Sequence, residues 1–135
     1  MREEALDWLF EAEGDLEHAR KSIEMGDYSW ASFAAQQAAE KALKTLHLHL
    51  FREPAPRTHD LIELMERFRG ELNLSEKTRS RLGTLSSYYF ISRYPNAGVR
   101  RPSRSISKEM AEEALEIASE VVRVVGEVIR ASEKG

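Results

Sequence analysis

Apolar residues recur at three- and four-residue spacing in five segments of the chain, a pattern that is typical of amphipathic helices. The segments lie near residues 2–25, 28–51, 60–70, 75–92 and 107–132. Gly26 and Pro95 lie at breaks between them, and such residues commonly end helices. We therefore predict an all-α fold without a sheet, in which all 135 residues belong to one domain.

The segment over residues 28–50 is predicted to be the central helix, because strong helix formers fill it and neither glycine nor proline interrupts it. Its apolar stripe is unusually rich in small residues: Ala31, Ala35, Ala38, Ala39, Ala42, Leu43, Leu46 and Leu50. Small side chains let a neighbouring helix approach closely, either inside the bundle or across a homodimer interface. The opposite side is predicted to carry Gln36, Glu40 and Lys44, with Glu40 and Lys44 in the favourable i,i+4 order.

The later helices have recognisable starts and inward faces. Asp60 and Glu63 form a capping-box-like pair at the third helix, and Ser107 is a good N-cap for the last one. In the fourth helix, the spacing predicts that Leu82, Leu85 and Tyr89 face the core.

Composition excludes several classes of protein. The chain has no cysteine, which excludes disulfides, thiolate nucleophiles and cysteine-ligated metals. No apolar run reaches the roughly 20 residues of a membrane span, and the first residues lack a signal-peptide pattern. His47 and His49 lie about 200° apart on a helix, so they cannot chelate one metal together. We predict a cytoplasmic protein without a membrane partner, a metal site or a cofactor.

The net charge of −3 conceals a strong asymmetry along the chain. Residues 77–108 contain eight Lys or Arg and no Asp or Glu, so the rest of the chain carries −11. Such a separation of charge predicts a surface for an anion, which is a nucleic acid, a nucleotide or an acidic partner.

Three motifs together resemble the HEPN domain family. They are AQQAAEKALKTL at 35–46, HDL at 59–61 and YYFISRYP at 88–95, followed by a long Ala- and Val-rich helix. The resemblance implies an up-and-down bundle of four to five helices that forms a homodimer. It also implies a minimal nucleotidyltransferase as a possible partner. The function it implies is RNA or nucleotide binding, and the alternative is the activity of an RNase toxin from a toxin–antitoxin pair.

The chain departs from the pattern of ribonucleolytic HEPN proteins, in which an arginine is followed after four to six residues by a histidine. Arg93 fits the arginine, but the corresponding positions hold Gly98, Val99 and Arg100. Cleavage by a 2′-hydroxyl needs proton transfer, which arginine cannot supply because it stays charged. We therefore expect a binding module without robust metal-independent RNase activity, while whether the chain is an enzyme stays open.

The candidate residues of an RNA or nucleotide site are Arg93, Tyr94, Arg100, Arg101 and Arg104. Each has an alternative interpretation. Arg93 either contacts phosphate or pairs with a carboxylate, and Tyr94 either stacks on a base or fills the core. The other three arginines either bind an anion or lie in a solvated loop.

The candidate catalytic residues are Arg93 and His59. His59 is either a displaced catalytic base or a side chain that closes the start of the third helix by hydrogen bonding. In the first case the chain would be an RNase with a rearranged Arg–His pair.

Overall fold

The computed structural model describes residues 2–68 and 70–134, and within these ranges it contains helices and no strand. The elements are α1 (Arg2–Glu24), α2 (Tyr28–Phe51), α3 (Leu61–Met65) with a following 3₁₀ turn (Glu66–Phe68), α4 (Glu76–Ile91), α5 (Pro102–Ser105) and α6 (Lys108–Lys134). The all-α bundle is thus confirmed. The third helix is shorter than predicted, and the four-residue α5 was not predicted at all.

Local capping signals define several helix boundaries. Gly26, with a φ of 78°, follows α1 in a left-handed conformation that glycine adopts without steric cost. The Asp60 side chain accepts hydrogen bonds from two backbone N–H groups at the start of α3, and Ser107 accepts one from Met110 N–H at 3.1 Å. The predicted capping box is incomplete, because the Glu63 carboxylate accepts from the Thr58 hydroxyl instead.

Helix α2 is the centre of the bundle and packs against α1, α3, α4 and α6. The alanines of its stripe are fully buried, and leucines of the same helix extend this core. Apart from Leu50, which is 37% exposed, the stripe is therefore buried within a single chain, and its alanines cannot supply a dimer interface. The homodimer stays a prediction, and its interface would have to lie on other surfaces of the chain.

The polar residues of α2 do not form the exposed side that the sequence pattern indicated. Gln36 is fully buried, Glu40 is only 5% exposed and the Lys44 side chain is largely buried. The physical reason is that α3 and the segment before it cover this side of α2, so α2 is enclosed nearly all round.

Helix α4 presents a different aromatic residue to the core than predicted. Leu82 and Leu85 are buried as expected, but Tyr88 takes the third inward position and Tyr89 is only partly buried. Burial raises the pKa of Tyr88, and the nearby Glu113 carboxylate raises it further, against the opposing charge of Arg81. Tyr89 is thereby left at the surface, where it becomes part of the candidate site.

Candidate functional site

Arg93 lies just after α4 and is held by one carbonyl and three aromatic rings. Its Nε and Nη2 donate to the carbonyl oxygen of Tyr89, at 3.0 and 2.6 Å. Its Cζ lies 4.2 Å from the ring centre of Phe33, 4.7 Å from that of Tyr89 and 5.0 Å from that of Tyr94. Such cation–π contacts fix a guanidinium without neutralising it. No carboxylate pairs with Arg93 among the described residues, so the ion-pair interpretation is wrong for this part of the chain.

Exposed aromatic side chains adjoin the rings that hold this arginine. Trp30, Phe90 and Tyr94 are 53%, 56% and 49% exposed, so the core interpretation of Tyr94 is wrong. Each ring lies near the next: Trp30 and Phe33 at 5.9 Å, Phe33 and Tyr89 at 6.1 Å, and Phe90 and Tyr94 at 6.3 Å between ring centres. We call these five rings together with Arg93 the aromatic face.

Arg100, Arg101 and Arg104 are exposed on the loop and short helix that follow the aromatic face. The loop is folded tightly: the Asn96 N–H donates to the carbonyls of Val99 and Arg100 at 2.9 and 3.3 Å. Gly98 has a φ of 128°, and a Cβ there would lie 2.5 Å from Cγ2 of Ile91. The turn therefore requires glycine, and it brings the loop close to the end of α4 at Ile91. Within the described ranges no ion pair involves the three arginines.

Three other basic residues of the 77–108 window have structural partners. Lys77 pairs with Glu116 at 3.0 Å and Arg81 with Glu113 at 2.8 Å, which ties α4 to α6. Arg79 donates to two carbonyls of the preceding loop. The basic residues that remain for the predicted anion surface therefore lie after α4.

His59, just before α3, is bound to α2 and α4 rather than to the start of α3. Its Nδ1 lies 3.0 Å from Oε1 of Glu40, and its ring stacks on Tyr89 with 3.7 Å between ring centres and 13° between planes. The Gln36 amide donates to the His59 backbone carbonyl at 3.0 Å. The helix-closing interpretation of His59 is wrong, because Asp60 caps α3 instead.

Glu40 is the centre of a hydrogen-bonded network that the sequence analysis missed. Its Oε2 accepts from Lys44 Nζ at 3.0 Å, and its Oε1 accepts from the side-chain amides of Gln36 and Gln37 at 3.3 Å, in addition to its contact with His59. Buried charges need such partners. One sequence feature could have predicted this network: Gln36, Glu40 and Lys44 are three polar residues at four-residue spacing on a helix that is otherwise largely apolar.

A groove of about 550 Å³ adjoins the aromatic face. The segment before α3 forms one wall and α4 forms the other, with Ser86 and Ser87 at the surface of α4. Tyr89 and Phe90 belong both to the groove and to the aromatic face, and His59 lies between the two walls. The fold thus brings His59 and Arg93, which come from two distant segments, to the same ring, that of Tyr89.

Metal-binding clusters and membrane-spanning helices are both absent from the described ranges. No group of three or more His, Asp or Glu side chains there is placed to hold a metal ion. None of the described helices combines the length and the apolar character that crossing a bilayer requires.

Comparisons with solved structures show that close relatives share this fold. The crystal structure of TT1696 from Thermus thermophilus is 39% identical, with a TM-score of 0.81 over 92% of this chain and 97% of that one. The structure of ST0689, described as an archaeal HEPN homologue, is 30% identical, with a TM-score of 0.76 over 93% of this chain and 97% of that one. A HEPN domain protein from Thermotoga maritima, tm0613, is 23% identical with a TM-score of 0.53 over 95% of each chain, which supports the fold alone.

No curated protein shows a significant match to this chain. The family model of the HEPN domain, in contrast, matches residues 5–128, which is nearly the whole sequence. Together with the 39% and 30% identical relatives, this match shows that the chain belongs to the HEPN domain family.

Proposed function

We propose that this chain is an RNA- or nucleotide-binding module whose binding surface is the aromatic face with the adjoining loop arginines. The observation that carries the proposal is Arg93, a cation without a carboxylate partner among the described residues. Three rings hold it, of which Tyr94 is exposed and Phe33 and Tyr89 are partly buried. Proteins bind single-stranded nucleic acid with this combination, because bases stack on aromatic rings while cations follow the phosphates.

The two kinds of contact have different expected roles. Phe90 and Tyr94 offer exposed rings on which unpaired bases can stack. Arg93 is fixed in place and can donate to a phosphate oxygen, whereas Arg100 and Arg101 add an exposed positive charge nearby. The surface therefore fits single-stranded RNA better than a duplex, whose bases are already stacked on one another.

Fluorescence anisotropy with a labelled single-stranded RNA at low salt tests this proposal. Phe90→Ala should weaken binding by about 1–3 kcal/mol, the usual contribution of one stacked base. The control is Phe10→Ala, which removes a phenylalanine that is even more exposed, 72% against 56% for Phe90, from α1, outside the aromatic face. Undetectable binding by the unaltered protein, or equal losses in the two variants, would show that the surface is wrongly placed.

The alternative function, that of an RNase toxin, is favoured by one observation: a carboxylate-bound histidine stacks on Tyr89, a ring that Arg93 also contacts. Toxicity would appear as growth arrest on expression of the chain. A minimal nucleotidyltransferase encoded next to it would be the expected antitoxin partner, and co-expression should restore growth. Expression with and without that neighbour decides whether this alternative holds.

We also propose that the chain forms a homodimer, as HEPN domains often do. Since the alanines of the α2 stripe are internal, exposed apolar side chains outside the aromatic face, such as Leu6, Trp8 and Met25, are the available interface residues. Light scattering at tens of micromolar protein should give twice the monomer mass of 15.5 kDa. A monomer mass under these conditions would exclude the dimer.

A further inference from the structure

We infer that the groove beside the aromatic face is a site for an unpaired guanine base, and that the carboxylate of Asp60 selects this base. The inference rests on the proposed binding of RNA or nucleotide at the aromatic face, and it names the base that is recognised next to that face. The guanine belongs either to an RNA strand or to a free guanosine nucleotide, because both present the same base.

Small residues of α4 leave room for a base in this groove. Gly83, Ser86 and Ser87 line it at spacings of three and four residues, so they lie on one side of α4. Nothing lies within 4 Å of a Cβ built on Gly83, so the space beside this residue is open. The groove volume of about 550 Å³ lies within the range of small-molecule sites in proteins.

Exposed apolar side chains lie on both sides of the groove. Ile62 of α3 is 44% exposed and Phe90 of α4 is 56% exposed, and both line the groove. Proteins bind unpaired bases by packing their flat faces on aromatic and other apolar side chains. Phe90 also belongs to the aromatic face, so a base in the groove adjoins the nucleotides that are proposed to bind there.

Asp60 gives the groove a free hydrogen-bond acceptor. Its Oδ1 caps α3 by accepting from the N–H groups of Ile62 and Glu63, at 2.9 and 3.5 Å. Its Oδ2 accepts from no group in the described ranges, and no ion pair there involves this carboxylate. Asp60 is also the one acidic residue among the described residues that line the groove. Because a carboxylate repels phosphate, its Oδ2 favours contact with a base over contact with the backbone of a nucleic acid.

Ser86 provides a hydrogen-bond donor near this acceptor. Its Oγ accepts from the N–H of Leu61, the residue after Asp60, at 3.0 Å, and this bond joins the start of α3 to α4. The Ser86 hydroxyl donates to no acceptor within the described ranges, so its proton is available to a ligand. The groove therefore presents a carboxylate acceptor from one side and a hydroxyl donor from the other.

Guanine is the base whose Watson–Crick edge matches these two groups. Its N1–H and N2–H₂ are adjacent donors, so a carboxylate meets donors alone, while the neighbouring O6 accepts from a hydroxyl. Adenine and cytosine place an acceptor nitrogen of the ring beside their amino group, and uracil flanks its N3–H with two carbonyl oxygens. Each of these edges therefore brings an acceptor close to the carboxylate. Hydrogen bonds to an ionised acceptor are roughly twice as strong as neutral ones, which makes the match with guanine selective.

Anisotropy titrations with three labelled single strands of RNA test this inference. Each strand is an oligoadenylate whose central position holds guanosine, inosine or adenosine. The guanosine strand should bind about 5- to 150-fold more tightly than the adenosine strand, as expected for one good bidentate contact to a base. The inosine strand lacks the N2 amino group and should lie between them. Displacement of the guanosine strand by guanosine monophosphate would show that the site also takes a free nucleotide, and no displacement would assign it to a strand alone.

Asp60→Asn converts the free acceptor into a donor and keeps the helix cap, because asparagine is as good an N-cap as aspartate. The cap requires the amide oxygen at the position of Oδ1, so the NH₂ group takes the position of Oδ2. The preference for guanosine over adenosine should be lost, whatever the removed charge does to the affinity for both strands. A purely capping role of Asp60 would leave this ratio of affinities unchanged. Glu66→Gln is the charge-matched control, since Glu66 follows α3 and does not line the groove.

Gly83→Leu should fill the groove and yet stabilise the fold. Leucine is a better helix former than glycine, and nothing lies within 4 Å of the added Cβ, so the midpoint of urea unfolding should rise. The affinity for the guanosine strand should nevertheless fall to that for the adenosine strand. Gly14→Leu is the control, because it makes the same change in α1, also at a position where nothing lies within 4 Å of the Cβ.

The possible outcomes separate this inference from the proposed function. RNA binding without a preference for guanosine would overturn the inference and leave the proposed binding function intact. A preference that survives in Asp60→Asn or in Gly83→Leu, with circular dichroism showing a folded variant, would also overturn it. Undetectable binding of all three strands at low salt would refute the binding proposal itself, and this inference with it.

Discussion

The salt dependence of RNA binding offers a quantitative test of the loop arginines. Arg100 and Arg101 are exposed, and no ion pair involves them within the described ranges. Replacing both with alanine removes two charges without disturbing a packed side chain. Because each arginine that neutralises a phosphate releases condensed counterions, its loss should flatten the dependence of affinity on salt.

The expected size of the effect follows from the number of available arginines. Four arginines after α4 have no ion pair in the described ranges: Arg93, Arg100, Arg101 and Arg104. For single strands each phosphate contact contributes about −0.7 to the slope of log affinity against log salt, which gives roughly −2.8 for four arginines and roughly −1.4 for the double variant. Between 50 and 200 mM salt, affinity should then fall about 50-fold for the unaltered protein and about 7-fold for the double variant.

The assay is fluorescence anisotropy over that range of salt concentration. The control is a second double variant that removes the same number of positive charges. Lys77→Ala/Arg81→Ala also removes two cations, but both are paired with carboxylates of α6 and lie outside the aromatic face. Exposed pairs of this kind contribute only about 0–1 kcal/mol each, so the control should remain folded. If the two double variants gave the same slope, net charge rather than a localised site would govern binding, and the assignment of the loop arginines to the site would be refuted.

Three further predictions concern stability. Leu46→Ala should lower the free energy of unfolding by about 2–5 kcal/mol in urea titrations, because Leu46 is fully buried in the core. Gly14→Ala should raise it by roughly 0.5–1 kcal/mol, since Gly14 lies within α1 and nothing would contact the added Cβ within 4 Å; a loss of stability would contradict this. Burial raises the pKa of Glu120, but hydrogen bonds from Ser75 and Thr78 outweigh it and hold the pKa below its usual 4.5. Glu120 therefore stabilises the fold above that value and loses this contribution as the pH falls through its lowered folded-state pKa, so thermal melts of Glu120→Gln should depend less on pH below 4.5 than those of the unaltered protein.

Local signals in the sequence were sufficient to predict most of the helices. The start of α3 at Asp60 and that of α6 at Ser107 follow from side chains that bond to N–H groups two or three residues away. The inward positions of Leu82 and Leu85 follow from helical spacing alone. Helix α5 escaped prediction because four residues are too few to show a period, and α3 was predicted too long because its last turn tightens into a 3₁₀ turn.

The family resemblance and the position of Arg93 were also available from the sequence, because both depend on residues that are close along the chain. The spacing of residues along the sequence could not predict which side chains surround Arg93. Three aromatic rings from α2, α4 and the following loop surround its guanidinium, and only the packing of these elements brings them together.

The tertiary structure alone decided which polar residues belong to the site. A helical period shows that Glu40 and Lys44 share a side of α2, but it does not show that α3 and the segment before it cover that side. Helical spacing predicted that Tyr89 faces the core, but the structure buries the neighbouring Tyr88 instead. Tyr89 is therefore partly exposed, and His59 stacks on its ring. Glu40, His59 and Tyr89 come from segments that are 19 and 30 residues apart, and such contacts form only when the hydrophobic core fixes the relative positions of the helices.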